Sequence, residues 1–286
     1  MLQTLLFAPA NHYRKVEKAL SLPVDVVIID LEDACAIDEK IGAREDVIRF
    51  LDQPRVGKAY VRVNAISTPF FFEDLRSIVS SNLDGIILPK VESPEEMTIA
   101  EWYLSSLEVQ KDLQPESIDL IPIIETAKGL SNLKSILAHK NRVNRIAFGA
   151  GDFTHDTGMV WSKTGNELLY ARNLIVIESR AADLEAPLDT VFVDLNDDEG
   201  LAQETKHAKG LGFQGKFLIH PKQVEIVKQA FAPTDDEIKE AEEMVRAFEE
   251  AEKTGSAAIR VGNRFVDYPI VYRAQQLLAQ ANRTAK

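Results

Sequence analysis

The sequence predicts an α/β fold: a TIM-type (β/α)₈ barrel followed by a C-terminal extension of helices and a hairpin that serves as a lid. Three observations support this prediction. Short β-branched runs alternate with longer charged segments of helical period, about eight times along the chain. Several runs are apolar at every position, which is typical of parallel strands covered on both faces. The length of 286 residues suits one barrel, which needs about 250, plus a short extension.

Strands and helices are predicted in regular alternation. An open, doubly wound parallel sheet is the alternative, because it has the same alternation, but eight repeats favour a closed barrel. The predicted strands are Thr4–Ala8, Val24–Asp30, Ala59–Val63, Gly85–Leu88, Leu120–Ile124, Arg145–Phe148, Thr190–Val193 and Lys216–Ile219. The predicted helices are Arg14–Leu20, Ile41–Leu51, Phe72–Ser80, Pro94–Leu107, Leu130–Ala138, Glu167–Ala182, Glu199–Leu211 and Lys222–Phe231.

The chain continues beyond the last barrel helix. A long acidic amphipathic helix is predicted over Asp235–Thr254, and a hairpin follows with its tight turn at Gly262–Asn263. A last helix is predicted over Ile270–Asn282. We therefore expect a catalytic barrel at residues 1–232 and a C-terminal extension, or lid, at residues 233–286.

Composition limits the partners and the compartment. The 33 basic and 45 acidic residues give a net charge of −12, which disfavours binding to nucleic acid or to an anionic membrane. The apolar runs are far shorter than the ~20 residues that span a bilayer. Cys35 is the single cysteine, so no intramolecular disulfide forms, and the first residues do not resemble a signal peptide. We expect a cytoplasmic protein.

Ionisable side chains follow most of the predicted strands. In a barrel of this type the active site lies where the strands end, so these side chains are expected to converge. They are Asp30, Glu32 and Asp33 after the second strand, Arg62 and Asn64 at the third, Lys90 at the fourth, Glu125 at the fifth, Asp152 at the sixth and His220 at the eighth.

Some of these residues also have ordinary structural interpretations. Asp30 and Asp33 could be helix N-caps, and His220 could be a structural histidine. Arg62 differs, because burying an arginine inside a barrel strand is costly unless the guanidinium meets an anion. We expect Arg62 to hold a substrate carboxylate through two hydrogen bonds.

Glu125 and Asp152 are candidate metal ligands. They come from adjacent strands and could supply two oxygens to one divalent cation. With no Cys or His cluster nearby, Mg²⁺ is preferred over zinc, and Mn²⁺ is possible. Such a site suits the stabilisation of an enolate next to a carboxylate. The backbone N–H groups of Ala150 and Gly151 could face the same substrate carboxylate, although Gly–Ala–Gly also simply forms a turn.

The motifs at these positions carry a resemblance. The chain resembles the citrate lyase β subunit-like family of the HpcH/HpaI aldolase superfamily, nearly from end to end. The matching segments are LFAPANHYRKVEKA, VVIIDLEDA, YVRVNA, GIILPKVES, PIIETAKGL, FGAGDFTHDTG, LIHPKQVEIV and GNRFVDYPIVYRA.

The resemblance implies a Mg²⁺-dependent lyase that acts on a 3-hydroxyacyl-coenzyme A such as citryl-, malyl- or citramalyl-CoA. The products would be acetyl-CoA and oxaloacetate, glyoxylate or pyruvate. It also implies roles for five residues. Glu125 and Asp152 match the metal ligands, Arg62 matches the arginine that binds the substrate carboxylate, and Asp30 matches an acid beside the metal-bound waters. Asp267 matches an acid/base that reaches the active site of a neighbouring subunit in a homotrimer or a dimer of trimers.

The resemblance also places the coenzyme A and shows departures from the family pattern. Arg14 and Lys18 would meet the phosphates of coenzyme A, with Lys40 and Arg44 as weaker candidates. The family commonly has Pro–Gly after the first strand, an arginine two residues later and an acidic residue just before the metal-binding Asp. Here the corresponding residues are Pro9–Ala10, His12 and Gly151.

Three other functions stay open. The chain could be the β subunit of a citrate lyase complex and receive its substrate on an acyl carrier protein. It could be an aldolase that uses a free aldehyde and no thioester. It could also be a barrel that binds a metabolite without catalysis, although the set of Arg62, Glu125, Asp152 and Asp267 argues against that function.

Overall fold

The structure is a computed structural model that describes residues 1–138 and 142–284. The chain divides into two compact units. The first ends at Lys228 and the second begins at Gln229. No helix among the described residues is long and apolar enough to cross a membrane.

The first unit is a closed barrel of eight parallel strands. Each strand pairs with the next one in chain order, and the eighth pairs with the first, with Leu5 opposite Phe217. This closure confirms the predicted barrel and excludes the open sheet. The strands are β1 (Thr4–Pro9), β2 (Val26–Asp30), β3 (Lys58–Arg62), β4 (Gly85–Leu88), β5 (Asp119–Ile124), β6 (Ala147–Phe148), β7 (Leu188–Asp189) and β8 (Gly215–Leu218).

Strand β7 differs from its prediction. The β-branched run Thr190–Val193 was expected to form it, but the strand is Leu188–Asp189. Leu188 pairs with Ala147 of β6 and with Gly215 of β8, so the barrel needs this strand earlier in the chain. The run that follows makes no strand pairs, although Val191 still packs against the barrel interior, and Val193 is exposed.

Twelve helices lie in the described residues, together with the 3₁₀ turns Ile37–Glu39 and Asn166–Leu168. The segment around Gly149–Gly151 is not only a turn, because a helix begins at Ala150. The helices are α1 (Tyr13–Leu20), α2 (Lys40–Leu51), α3 (Phe71–Ile78), α4 (Pro94–Gln110), α5 (Ala127–Ser131), α6 (Leu133–Ala138), α7 (Ala150–Thr157), α8 (Leu169–Ala181), α9 (Asp198–Leu211), α10 (Gln223–Phe231), α11 (Asp235–Lys253) and α12 (Tyr268–Thr284).

The interior of the barrel is filled by alternate residues of the strands. Because successive side chains of a strand point to opposite faces, the residue two positions beyond an interior residue faces the interior again. At the end of β2 that residue is Asp30, at the end of β3 it is Arg62, and beyond β5 it is Glu125. The interior side chains are Leu5, Val26, Ile28, Tyr60, Ile87, Ile121, Ile123, Ala147, Leu188 and Phe217. The interior face of these strands is therefore apolar along the barrel and becomes polar at the carboxyl ends of the strands.

A second set of charges lies on the outer side of β7 and β8. Lys216 donates to Asp189 at 2.9 Å and to Glu204 at 2.7 Å, and Arg172 donates to both oxygens of Asp189 at 2.9 and 3.1 Å. The side chains of Lys216 and Asp189 are fully buried. We call Arg172, Asp189, Glu204 and Lys216 the wall cluster. It ties α8 and α9 to the barrel wall.

The second unit contains the predicted hairpin between two long helices. Strands β9 (Ala258–Val261) and β10 (Arg264–Asp267) are antiparallel, and Gly262 at their turn has a φ of +57°. Phe248 and Val266 pack into a small core with Val271. Helix α11 begins with a capping box between Thr234 and Glu237.

Candidate active site

Seven charged side chains meet at the carboxyl end of the barrel. We call this set the rim cluster: Asp30, Glu32, Asp33, Arg62, Lys90, Glu125 and Asp152. They come from the ends of strands β2 to β5 and from the first turn of α7. The structure therefore brings together most of the side chains that the strand-end pattern predicted.

Arg62 is held by Asp30. Nε donates to Oδ1 at 2.8 Å and Nη2 donates to Oδ2 at 2.6 Å, and the guanidinium lies over the ring of Phe7 at 4.7 Å. The remaining nitrogen, Nη1, lies 3.0 Å from Oε2 of Glu32. The two-bond clasp expected for a substrate carboxylate is thus made by Asp30, which leaves Nη1 as the group of Arg62 that a substrate could meet.

The electrostatics of Asp30 and Glu32 differ although both are buried. Burial disfavours the charged form of Asp30, but Arg62 and the N–H groups of Glu32 and Ala34 outweigh it and hold the pKa of Asp30 below its usual value. Burial raises the pKa of Glu32, and Arg62 and Lys90 offset this effect only in part. Oε2 of Glu32 is buried, and its contact with Nη1 of Arg62 is an ion pair that lacks hydrogen-bond geometry.

Lys90 reaches several carboxylates at once. Its Nζ lies 2.5 Å from Oε1 of Glu32, 2.8 Å from Oδ2 of Asp152 and 3.8 Å from Oδ2 of Asp33. Its backbone N–H donates to Oε1 of Glu125 at 2.8 Å. The ammonium therefore partly neutralises three acids, and the amide fixes the orientation of a fourth. Its position after a strand suggested that Lys90 lies at the rim, but no sequence signal indicated these contacts.

Glu125 is one of three buried acids of the rim cluster, with Asp30 and Glu32. The residue is 3% exposed, and burial, followed by the charge of Glu32, raises its pKa to about 8. Gly149 provides its space, because a Cβ there would lie 2.3 Å from Oε2 of Glu125. Asp152, in the first turn of α7, is partly exposed and adds its own charge nearby.

The donor set fits a hard divalent cation. Five carboxylates face two cationic side chains in the rim cluster, so the fully ionised cluster carries excess negative charge. A raised pKa at Glu125 is what a site lacking a counter-charge would have. No group of three or more His, Cys, Asp or Glu among the described residues could hold a metal. Mg²⁺ commonly takes only one or two protein carboxylates.

Ala150 and Gly151 begin helix α7 beside the rim cluster. The Ala150 N–H donates to Oγ1 of Thr190 at 2.8 Å, so it is already engaged. Gly151 is in the first turn, where a backbone N–H has no partner within the helix. Sequence reasoning missed Thr190, because it was assigned to a strand instead of being recognised as a residue that orients this helix.

The cationic residues proposed for coenzyme A divide into two pairs. Arg14 and Lys18 are exposed on α1, which follows β1. The structure argues against Lys40 and Arg44 as residues that bind coenzyme A, because both side chains are already bonded within the protein. Lys40 is buried and donates to the carbonyls of Leu31 and Glu32, and Arg44 donates to Asp74 at 2.6 Å. Lys40 thus supports the loop after β2, and Arg44 ties α2 to α3.

Three other predicted residues have hydrogen bonds of their own. Asn64 is buried and donates to Asp74 at 2.6 Å. Exposed His220 accepts from the N–H of Lys222, as a structural histidine does. Asp267 ends strand β10 in the second unit, is half-buried, and accepts from the N–H of Ile270 at 3.4 Å.

Comparison with known proteins identifies the family, and the matches cover almost the whole chain. Residues 3–221 match the model of the HpcH/HpaI aldolase/citrate lyase family. The citrate lyase subunit beta of Leuconostoc mesenteroides is 38% identical over 98% of this chain and 93% of its own. The human mitochondrial citramalyl-CoA lyase is 34% identical over 98% of this chain and 85% of its own.

Solved structures agree with the fold. The CitE protein of Mycobacterium tuberculosis, in complex with magnesium, acetoacetate and coenzyme A, is 27% identical, with a TM-score of 0.79 over 98% of each chain. A citrate lyase from Burkholderia xenovorans has a TM-score of 0.88 at 20% identity, over 100% of this chain and 93% of its own, and supports the fold alone. The resemblance predicted from the motifs is confirmed.

Proposed function

Because the chain belongs to the HpcH/HpaI aldolase/citrate lyase family, we propose that it is a Mg²⁺-dependent carbon–carbon lyase for a 3-hydroxyacyl-CoA. The products would be acetyl-CoA and a 2-keto acid. The observation that carries the proposal is the rim cluster, in which Glu125 and Asp152 offer two carboxylates where negative charge exceeds positive. The substrate class rests on the named relatives, one of which is a citramalyl-CoA lyase.

Each rim residue has a role in this proposal. Glu125 and Asp152 would hold the cation, which when bound supplies Lewis-acid stabilisation to charge that develops on the keto acid. Nη1 of Arg62 would meet the substrate carboxylate, and Asp30 would fix the guanidinium by its two hydrogen bonds. The N–H of Gly151 would offer a further donor to that carboxylate.

The carbon–carbon bond needs an acid/base in addition to these groups. On cleavage the 3-hydroxyl proton is lost, and the electrons of the breaking bond pass to the carbon next to the thioester, which then takes up a proton. We assign this proton transfer to Asp267 of a neighbouring copy in a homotrimer or dimer of trimers. Arg14 and Lys18, exposed on α1, would bind the phosphates of coenzyme A. A barrel of residues 1–232 with a lid of 233–286, working in the cytoplasm, completes the proposal.

A second function has its own support. The Leuconostoc citrate lyase subunit beta is 38% identical over 98% of this chain, so the same chemistry could serve a citrate lyase complex that presents citryl groups on an acyl carrier protein. The departures from the family pattern near α1, at Ala10 and His12, concern the carrier more than the cation.

The test is turnover of three thioesters. Purified protein with Mg²⁺ is given citryl-, malyl- and citramalyl-CoA, and acetyl-CoA and free coenzyme A are measured separately. Acetyl-CoA release from at least one thioester is expected. Release of free coenzyme A alone would instead indicate a thioesterase, the activity named for a 33% identical relative from Cereibacter sphaeroides. Activity on carrier-bound citryl groups only would select the citrate lyase subunit.

An Asp267→Asn variant tests the shared active site. We expect turnover to fall at least ~100-fold, within the range that general acid–base catalysis supplies, while Mn²⁺ affinity is kept. Turnover equal to that of the parent protein would refute the role of Asp267.

A further inference from the structure

Lys90 touches both proposed metal ligands, and the proposed reaction gives it no role. Its backbone N–H donates to Oε1 of Glu125 at 2.8 Å. Its ammonium lies 2.8 Å from Oδ2 of Asp152, which comes from a different element. No other side chain or amide of the described residues has polar contacts with both of these carboxylates. Lys90 therefore connects the two proposed ligands.

The backbone of Lys90 is unusual. Its φ is +52°, in the left-handed region that favours glycine, so the conformation costs free energy for a lysine. The other non-glycine residues with positive φ, Asp112, Glu116 and Asp183, are exposed. Lys90 is the one among these whose side chain lies in the rim cluster, and its turn lets the amide and the ammonium face the same place. Such strain at a site is commonly tied to its function.

The ammonium occupies a position that suits a cation. It lies 2.5 Å from Oε1 of Glu32 as well as 2.8 Å from Asp152, and Glu32 also has Nη1 of Arg62 at 3.0 Å from its other oxygen. A divalent cation held by Asp152 and Glu125 would lie next to this ammonium, and their like charges would repel strongly in a partly buried site. The cation and the ammonium therefore compete for Asp152.

We propose that Lys90 is a positioning residue whose ammonium takes the place of the divalent cation at Asp152 in the metal-free protein. An arriving cation displaces the ammonium from Asp152, the ammonium stays on Glu32, and the Lys90 amide keeps Glu125 oriented. This inference rests on the proposed function, since it takes Glu125 and Asp152 as the metal ligands. Its consequence is that Lys90 lowers metal affinity, whereas a lysine that merely supported the site would raise it.

The experiment measures Mn²⁺ binding to the metal-free full-length protein by the electron paramagnetic resonance signal of free Mn²⁺. Lys90→Met removes the charge and keeps the length of the side chain. Lys90→Gly removes the charge, keeps the amide, and suits the left-handed backbone. Lys90→Arg keeps the charge. Lys163→Met is the matched control, because Lys163 also lies between two carboxylates, those of Asp194 and Asp197, but is largely exposed.

We expect the Kd for Mn²⁺ to fall at least about tenfold in Lys90→Met and Lys90→Gly, since a repelling charge has been removed. Lys90→Arg and Lys163→Met should stay within about threefold of the parent protein. The two neutral variants should also melt at a lower temperature without metal and recover most of that loss at saturating Mn²⁺, because the cation then replaces the missing charge.

Unchanged or weaker Mn²⁺ binding in both neutral variants would overturn the role of Lys90. If Lys90→Met does not fold, Lys90→Gly decides alone, because it relieves the backbone strain. A parent protein that binds no Mn²⁺ would instead overturn the metal site of the proposed function, and this inference with it. Turnover is not needed for either conclusion.

Discussion

Two charge clusters of the barrel differ in their balance: the wall cluster is buried, and the rim cluster is partly exposed. The wall cluster pairs two cations with two acids, and its hydrogen bonds satisfy the cations from within the protein. The rim cluster sets two cations against five acids. Buried charges are tolerated when they are paired, so the wall cluster needs no ligand. The unbalanced cluster is the one where a ligand of opposite charge belongs.

The pKa shifts follow the same division. Burial disfavours ionisation of Asp189, but Lys216 and Arg172 outweigh it and lower the pKa of that carboxyl. At Glu125, burial and the neighbouring acids prevail over Arg62 and Lys90, and the pKa rises to about 8. Both acids are buried on the same barrel, so burial alone does not distinguish a functional carboxylate. The acids that compete for the cations around it do, since Glu32 and Asp152 raise the pKa of Glu125 against Arg62 and Lys90.

The largest effect is expected from removing a charge of the rim cluster. Glu125→Gln keeps the shape of the side chain but removes one of two proposed metal ligands. We expect lyase turnover to fall at least ~1,000-fold, the order of loss seen when charge stabilisation at a reacting centre is removed, and Mn²⁺ affinity to fall ~100-fold. Thioester turnover and Mn²⁺ titration check this.

Glu92→Gln is the control for that variant, because Glu92 pairs with exposed Lys128. It should leave both quantities within about twofold. Full Mn²⁺ affinity in Glu125→Gln would contradict the assignment of Glu125 as a metal ligand. The excess of acids in the rim cluster would then not mark a metal site.

The opposite pattern is expected in the wall cluster. Asp189→Asn leaves Lys216 buried without its full counter-charge, and breaking such a pair costs about 3–5 kcal/mol of the free energy of unfolding. Mn²⁺ affinity should not change. Urea unfolding measures the loss, and Asp46→Asn, in an exposed pair with Arg49, should cost less than about 0.5 kcal/mol. A stable Asp189→Asn protein with altered Mn²⁺ affinity would mean that the wall cluster takes part in metal binding and does not serve stability alone.

Much of the rim cluster could be predicted from the sequence, because barrel topology carries strand ends to one place. Asp30, Arg62 and Glu125 each stand two residues beyond an interior side chain, so strand period and topology together locate them. The contact between Asp30 and Arg62 could not be predicted, because it depends on the register of β2 and β3, which places these two residues side by side. A substrate and a neighbouring acid are equally good partners for an arginine on sequence grounds.

The wall cluster was missed for a different reason. Its acid Asp189 lies in a strand of two residues, too short to show a period, while the β-branched run beginning at Thr190 has the stronger strand pattern. Lys216 begins an otherwise apolar run, where a lysine suggests an exposed end. Only the three-dimensional structure brings Arg172 from α8 to these two residues.

Gly149→Ala tests how tightly the rim cluster is built. The φ of Gly149 is −115°, so alanine is allowed, but its Cβ would lie 2.3 Å from Oε2 and 2.7 Å from Cβ of Glu125. We expect a loss of about 1–3 kcal/mol in the free energy of unfolding, as for other overpacked sites, with weaker Mn²⁺ binding. Gly42→Ala, with nothing within 4 Å, is the control and should not destabilise the protein. A Gly149→Ala protein that binds Mn²⁺ normally would show that Glu125 can move without loss.

The smallest expected effect, per pH unit, is on the free energy of unfolding. Its pH dependence has opposite signs at Glu125 of the rim cluster and Asp189 of the wall cluster. The folded pKa of Glu125, about 8, lies above its ordinary value of 4.5, so the metal-free folded protein keeps a proton that the unfolded chain releases. The stability that this group contributes is fully present below about pH 4.5 and is lost as pH rises to about 8, by at most about 1.4 kcal/mol per pH unit. Asp189 has the opposite sign: its lowered pKa contributes stability above its ordinary 3.8, and this is lost only as pH falls further.

Unfolding free energies of the metal-free parent and of Glu125→Gln, measured between pH 5 and 8, isolate the rim contribution, because Asp189 stays ionised throughout that range. The parent should lose stability relative to the variant as pH rises, and saturating Mg²⁺ should remove most of the difference, because the cation binds the ionised carboxylate. Parallel curves would mean that Glu125 is as well compensated as Asp189. The excess of acids would then not distinguish the rim cluster from the wall cluster.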